Sequence, residues 1–222
     1  MTAAELLDQA GALLLDFDGP VCSVFAGIPA PVVAEQLRTV LADAGHTSPE
    51  PVASSSDPFD VLEYAASLSD DDARYVEAAF TAHEVEAMTT AAPTEGAHEL
   101  MQAWHGSGRP LAIVSNNSAA AISAYLDFYG LRPLVNVVSA RESADVQLLK
   151  PRPHLLNQAV RRLGLPAERC VFVGDSLTDI EAAKAAGVLS IGYANKPGKR
   201  ERFTSAGADA ITEVLTDLAA VR

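Results

Sequence analysis

Five short apolar runs punctuate the chain, at residues 11–15, 110–114, 134–138, 169–173 and 188–193, each closed by a polar or glycine-rich cluster. They are too short for helices, and most lack the alternation of a half-exposed strand, so they predict parallel strands buried on both faces. Helical patterns lie between the later runs, at 119–129, 153–163 and 178–186. Each is followed by a glycine (Gly130, Gly164, Gly187), which takes the left-handed conformation at a helix end without a Cβ clash. Strand, helix and strand repeated in this way predict a right-handed parallel α/β sheet.

The stretch from about residue 20 to 108 breaks this rhythm. It holds no convincing strand but three helical patterns, at 31–44, 57–67 and 69–88. Asp57-Pro58 supplies an N-cap followed by proline, and Ser69 precedes three aspartates that suit a helix's first turn. The pattern predicts two units: an α/β core from residues 1–20 and 92–222, and an inserted α-helical domain from 21–91. A helix over 93–104 would return the chain to the sheet.

Composition narrows the function. At 222 residues the chain can bury a full core, and 49% hydrophobic with 20% charged residues is a globular balance. A net charge of −13 argues against nucleic acid, which needs clustered Lys and Arg, and against an anionic membrane surface. No apolar run approaches the roughly 20 residues that span a bilayer, and the N-terminus lacks the basic and apolar regions of a signal peptide. Two cysteines, Cys22 and Cys170, are too few for a disulfide framework. A cytoplasmic location is the expectation.

In open parallel sheets ligands bind beyond the carboxyl ends of the strands. Asp16 and Asp18 leave the first predicted strand, Ser115-Asn116-Asn117 the second, and Gly174-Asp175-Ser176 the fourth, with Asp179 close by; Lys150 follows the third. Each segment alone reads as a cap or turn. Together they bring carboxylates, a hydroxyl, amides and one lysine to one edge. Carboxylates so gathered repel unless a cation joins them, and hard oxygen donors beside a substrate phosphate favour Mg2+.

These residues resemble the haloacid dehalogenase (HAD) superfamily, in its phosphatase branch with a helical cap after the first motif, the subfamily that includes phosphoglycolate phosphatase and β-phosphoglucomutase. The motifs are Asp16-Phe17-Asp18-Gly19, Ser115-Asn116, Lys150 in Lys-Pro-Arg-Pro, and Gly174-Asp175-Ser176-Leu177-Thr178-Asp179. One departure stands out: Pro20 and Cys22-Ser23 replace residues commonly found after the first motif. The resemblance implies a Rossmann-like parallel core, closed by a strand and helix near residue 220, and a phosphatase acting on a small phosphorylated metabolite. Asp16 is then the nucleophile and Asp18 the acid and base. Mg2+ would be held by Asp16 and Asp175 side chains and the Asp18 carbonyl. Ser115, the Asn116 backbone and Lys150 would hold phosphate oxygens, with Asp179 orienting Lys150 or a metal-bound water.

The alternatives divide by residue. The second aspartate, Asp18, separates the chain from dehalogenases, and the absence of a lysine between residues 21 and 91 separates it from phosphonatases. A β-phosphoglucomutase-like mutase keeps both aspartates but needs cap cations for its second phosphate. Here the insert offers only Arg38 and Arg74 among about a dozen acidic residues, which read either as a solvated face or as a filter favouring a neutral or cationic leaving group. A catalytically silent binding or regulatory protein would show a broken motif. Cys22 reads as a small apolar filler or a thiol near the site mouth. Phe25 and Ile28 are candidates to line the cavity, Trp104, Phe59, Tyr64, Tyr75 and Phe80 to pack, and the basic stretch 196–202 to cap a surface turn.

Overall fold

The computed structural model describes residues 1–219. Six strands, β1 (Ala12–Leu15), β4 (Leu111–Ser118), β5 (Val137–Arg141), β6 (Cys170–Gly174), β7 (Leu189–Tyr193) and β8 (Ala210–Thr212), form one sheet in the order β5-β4-β1-β6-β7-β8. Every ladder in it is parallel. The alternation hidden in each apolar run sorts onto the two faces. Leu13 and Leu15 join Leu111, Ile113, Val171 and Val173 in one apolar cluster. Ala12 and Leu14 join Ala112, Val114, Cys170 and Phe172 in the other. A strand covered on both faces has no polar side, which is why these runs lack visible alternation.

Helices α1 (Ala3–Asp8), α6 (Ala97–Gly106) and α7 (Ala119–Phe128) cover the first face through Leu6, Leu7, Leu100, Trp104, Ile122 and Tyr125. On the second lie α8 (His154–Leu163) and α9 (Leu177–Ala186), which contribute Leu155, Leu156, Ala182 and Ala183; α10 (Lys199–Ala206) packs on α9. Gly164 and Gly187 stop α8 and α9 with φ near 70°.

Between β1 and β4 the chain forms α2 (Ala30–Asp43), α3 (Glu50–Ala53), α4 (Pro58–Leu68) and α5 (Asp70–Ala87). The caps work as the sequence suggests: Asp57 accepts from the Phe59 N–H and Ser69 from the Asp72 N–H. Val33, Leu37, Leu41, Val61, Leu62, Val76 and Phe80 close this helical insert around an apolar centre continuous with the second sheet face. Trp104 and Phe80 are buried as expected, whereas Tyr75 is 70% exposed.

Several expectations change. The third strand begins at Val137, not 134, because Arg132–Leu134 forms a 3₁₀ turn around Pro133, which has no N–H for a ladder. The segment 20–108 does contain strands, each two residues long: β2 (Cys22–Ser23) and β3 (Ala92–Pro93) pair antiparallel, Cys22 opposite Pro93 and Ser23 opposite Ala92. That pairing delays the returning helix to Ala97, after Gly96 at φ 80°. Two residues per strand leave too little pattern to read. The closing strand is β8, and the helix expected after it is a 3₁₀ turn, Leu215–Leu218, within the described residues.

Candidate active site

The central strand β1 has β4 on one side and β6 on the other, so the order of the sheet reverses beside it. Crevices open at such points, beyond the strand ends. Asp16 follows β1 and is buried, its N–H donating to the Val173 carbonyl of β6 at 2.9 Å. Its Oδ1 accepts from the Phe17 N–H at 2.7 Å and from Lys150 Nζ at 2.8 Å. Asp18 accepts from the Val24 N–H at 3.0 Å. Gly19 follows with φ 104°, and a Cβ there would lie 2.4 Å from Cγ of Asp175. Only glycine lets the β1 and β6 ends approach so closely.

Lys150 enters from the segment after β5. Its ammonium lies 2.8 Å from Asp16 and 2.6 Å from Asp179, and all three groups are buried. Burial opposes its charge, but the two carboxylates more than compensate and hold its pKa above the ordinary lysine range. For Asp16 burial acts first, pushing its pKa up; Asp179 adds to this and Lys150 opposes it. Asp179 spends both oxygens. Oδ1 binds Lys150, and Oδ2 accepts from the N–H and hydroxyl of Ser176, closing the capping box of α9. Lys150→Met is expected to lower the unfolding free energy by ~3–5 kcal/mol, because it leaves two buried carboxylates facing each other. Urea unfolding measures this, and a loss under ~1 kcal/mol would mean the pair is stabilised by something other than the lysine.

The sequence places Ser115 and its neighbours after the second strand. In the structure β4 runs on to Ser118, with its ladder irregular beyond Val114. Asn116 uses its side chain as a clamp: Oδ1 accepts from the Lys150 N–H at 2.8 Å and Nδ2 donates to the Lys150 carbonyl at 3.1 Å. Asp16, Asp18, Ser115, Asn116, Lys150 and Asp175 all border one cavity of about 310 Å³, so the residues singled out from sequence converge. Asp57, Phe59, Asp60 and Glu63 of the insert form its opposite wall. Phe59 packs as expected, its ring centroid 5.0 Å from that of Phe80, and also borders the cavity; Phe25 and Ile28 pack on the core and are not among the lining residues.

Two neighbours of Asp175 escape sequence reasoning. Lys199, expected in a surface patch, donates to Oδ2 of Asp175 at 2.6 Å and to its carbonyl at 2.5 Å, while Asn195 Nδ2 lies 3.1 Å from the same Oδ2. Both come from the segment after β7, a strand whose end carries no recognisable motif. Cys22 is fully buried, and burial pushes its thiol pKa well up, so it is an apolar filler rather than a reactive group.

The donor set fits a hard divalent cation. Asp16, Asp175 and Asp179 each offer an oxygen within 4.8 Å of the others. With Asp179 engaged by Lys150 and Ser176, the oxygens without a protein donor among the described residues include Asp16 Oδ2, Asp175 Oδ1 and the Asp18 carbonyl. Three oxygens of this kind, with water and substrate completing the shell, suit Mg2+.

Paired aspartates thus leave the central strand of a parallel α/β sheet, and a buried lysine bridges the first of them to a further carboxylate. Residues 10–187 match the family described as haloacid dehalogenase-like hydrolase, and the chain belongs to that family. Phosphoglycolate phosphatase of Salmonella typhimurium is 34% identical over 120 residues, and that of Escherichia coli K12 is 32% identical. Each match takes in 54% of this chain and 47% of the relative, so the chain spans about half the length of the curated relatives it matches. Among solved structures, CbbY of Rhodobacter sphaeroides in complex with xylulose-1,5-bisphosphate superimposes with a TM-score of 0.70 at 22% identity, over 93% of this chain and 95% of that one. A predicted phosphatase of Clostridium acetobutylicum gives 0.72 at 17% identity, over 95% and 96%. Among the described residues no helix is long and apolar enough to cross a membrane.

Proposed function

We propose that the protein is a Mg2+-dependent phosphatase that hydrolyses a small phosphorylated metabolite through an aspartyl-phosphate on Asp16. The observation that carries this reading is the convergence of Asp16, Asp18 and Lys150 on one cavity beside three oxygens free to bind metal. An Asp16 oxygen attacks phosphorus, and the bond from phosphorus to the ester oxygen breaks as that oxygen takes a proton from Asp18. Asp18 then removes a proton from water, the water oxygen attacks phosphorus, and the bond to Asp16 breaks to return the carboxylate and free phosphate. Burial raises the Asp18 pKa to about 6, partly offset by the Val24 N–H. A group that titrates there both gives and takes a proton near neutrality. Lys150, Ser115 and the Asn116 backbone hold the non-bridging oxygens, and Asp179 keeps Lys150 in place. Bound Mg2+ supplies charge neutralisation between nucleophile and phosphate.

The insert argues for hydrolysis over mutase chemistry. Arg38 donates to the Val52 and Ser55 carbonyls and to Glu35, and Arg74 pairs with Asp71. Neither borders the cavity; Asp57, Asp60 and Glu63 do. A second phosphate, or the carboxylate of phosphoglycolate named for the relatives, would meet like charge, whereas a neutral or cationic leaving group would not. The net charge fits a metabolite rather than nucleic acid, and two unpaired buried cysteines fit a reducing cytoplasm.

A screen of about a hundred phosphorylated metabolites with and without Mg2+ tests the reading. Phosphate release is expected only with Mg2+, and kcat/KM for the best small monophosphate is expected at ~10-fold or more above phosphoglycolate, the scale set by one misplaced charge. Equal release in EDTA would refute the metal requirement, and a preference for bisphosphates or nucleotides would refute the acidic filter.

A further inference from the structure

The acidic residues of the insert are not all solvated. Glu84, in the last turns of α5, is fully buried, and core residues satisfy its carboxylate from three directions. Oε1 accepts from Asn117 Nδ2 at 2.9 Å; Oε2 accepts from the Ser118 N–H at 3.0 Å and from Arg141 Nη2 at 2.7 Å. Arg141, at the end of β5, is buried with it. It also donates to Glu77 and to Thr81, each at 3.2 Å, and to the Asn116 carbonyl at 3.3 Å, with the Phe80 ring centroid 4.4 Å from its guanidinium. Glu77, Thr81 and Glu84 lie on one stripe of α5, four and three residues apart. One helix of the insert is thus fastened to the strand end that carries Ser115.

The chain of contacts has a fixed polarity. A carboxylate only accepts hydrogen bonds, so the amide nitrogen of Asn117 must face Glu84 and its oxygen must face Ser115. That oxygen lies 3.1 Å from Ser115 Oγ, and the Asn117 N–H donates to the same Oγ at 3.3 Å. The Ser115 hydroxyl is therefore held from two sides on the cavity wall. Removing the acceptor-only group at position 84 frees the Asn117 amide to turn over, which reverses the hydrogen bond offered to Ser115.

We propose that Glu84 is a positioning residue for the phosphate site: through Asn117 it fixes the place of Ser115 Oγ, whose single proton turns from Asn117 Oδ1 to an incoming phosphate oxygen while Oγ keeps the Asn117 N–H, so phosphate affinity depends on α5 being docked on Arg141. The proposal rests on the phosphatase reading for Ser115's role but makes its own claim, that a residue of the insert sets how tightly the core holds phosphate. It also gives Asn117, which the motif leaves unassigned, a task.

The test is calorimetric binding of inorganic phosphate with saturating Mg2+, together with KM and kcat for p-nitrophenyl phosphate. Glu84→Gln keeps the volume and removes the acceptor-only character; Asn117→Ala breaks the relay and leaves the Glu84–Arg141 pair intact. Each is expected to weaken phosphate binding ~10-fold and to raise KM more than it lowers kcat, and the double variant is expected to lose ~10-fold in total rather than ~100-fold, because both act on one chain of contacts. A folded Glu84→Gln protein with wild-type phosphate affinity, or a double variant whose losses multiply, overturns the proposal. Should Glu84→Gln fail to fold, Asn117→Ala decides alone, and unchanged phosphate affinity there overturns it. Wild-type protein that binds phosphate but hydrolyses nothing would sink the phosphatase reading while leaving this coupling standing.

Discussion

Asp16→Asn is expected to reduce phosphate release by at least ~1,000-fold while leaving the protein folded. The amide is nearly the same size and keeps an oxygen to accept from Lys150 and the Phe17 N–H, both of which reach Oδ1 in the native site. What it lacks is the negative oxygen proposed to attack phosphorus, and removal of a covalent nucleophile costs orders of magnitude that binding groups do not restore. Stability should hold or rise, since the native carboxylate is buried near Asp179, two conditions that oppose its charge. Phosphate release is measured by colour development against p-nitrophenyl phosphate, and unfolding by urea. Full activity would remove Asp16 from the chemistry.

Asp18→Asn is expected to fail at a different step. An aryl phosphate has a leaving oxygen that needs little help from an acid, so Asp16 is still phosphorylated and p-nitrophenol still departs. Hydrolysis of the aspartyl-phosphate needs a base for water, and an amide at position 18 cannot take that proton. A burst of about one equivalent of p-nitrophenol is expected, followed by turnover slower by ~100- to 10,000-fold, the range for losing a general base. Rapid-mix absorbance measures it. Sustained wild-type turnover, with no burst, would show that another group activates the water.

The gathering of these residues at one cavity was legible because parallel strands end at one edge of the sheet, where the segments that follow them meet. Asp16, Asp18, Ser115, Lys150 and Asp175 could be assigned to one edge from chain order alone. Lys199 and Asn195 could not, since the segment after β7 reaches Asp175 only in three dimensions. Glu84 was hidden for another reason. In a helix with six acidic residues its charge reads as one more solvated group, and only the distant Arg141 reveals a buried partner. The starts of α4 and α5 followed from their caps, Asp57 and Ser69, whereas β2 and β3 were too short to leave a period.

The two-residue ladder of β2 and β3 has a topological consequence. Paired antiparallel residues place their Cα atoms ~5 Å apart, so the chain leaves the core at Ser23 and returns at Ala92 through what is geometrically a single doorway. The sixty-odd residues beyond it form a closed excursion of the backbone (roughly 24 to 91), and a tight hairpin turn would bridge the same gap. Exchange of the whole excursion for another of different length leaves the strand order untouched. The burden of such an exchange falls instead on Arg141, which would need new carboxylates, and on the apolar face that the lost helices had covered.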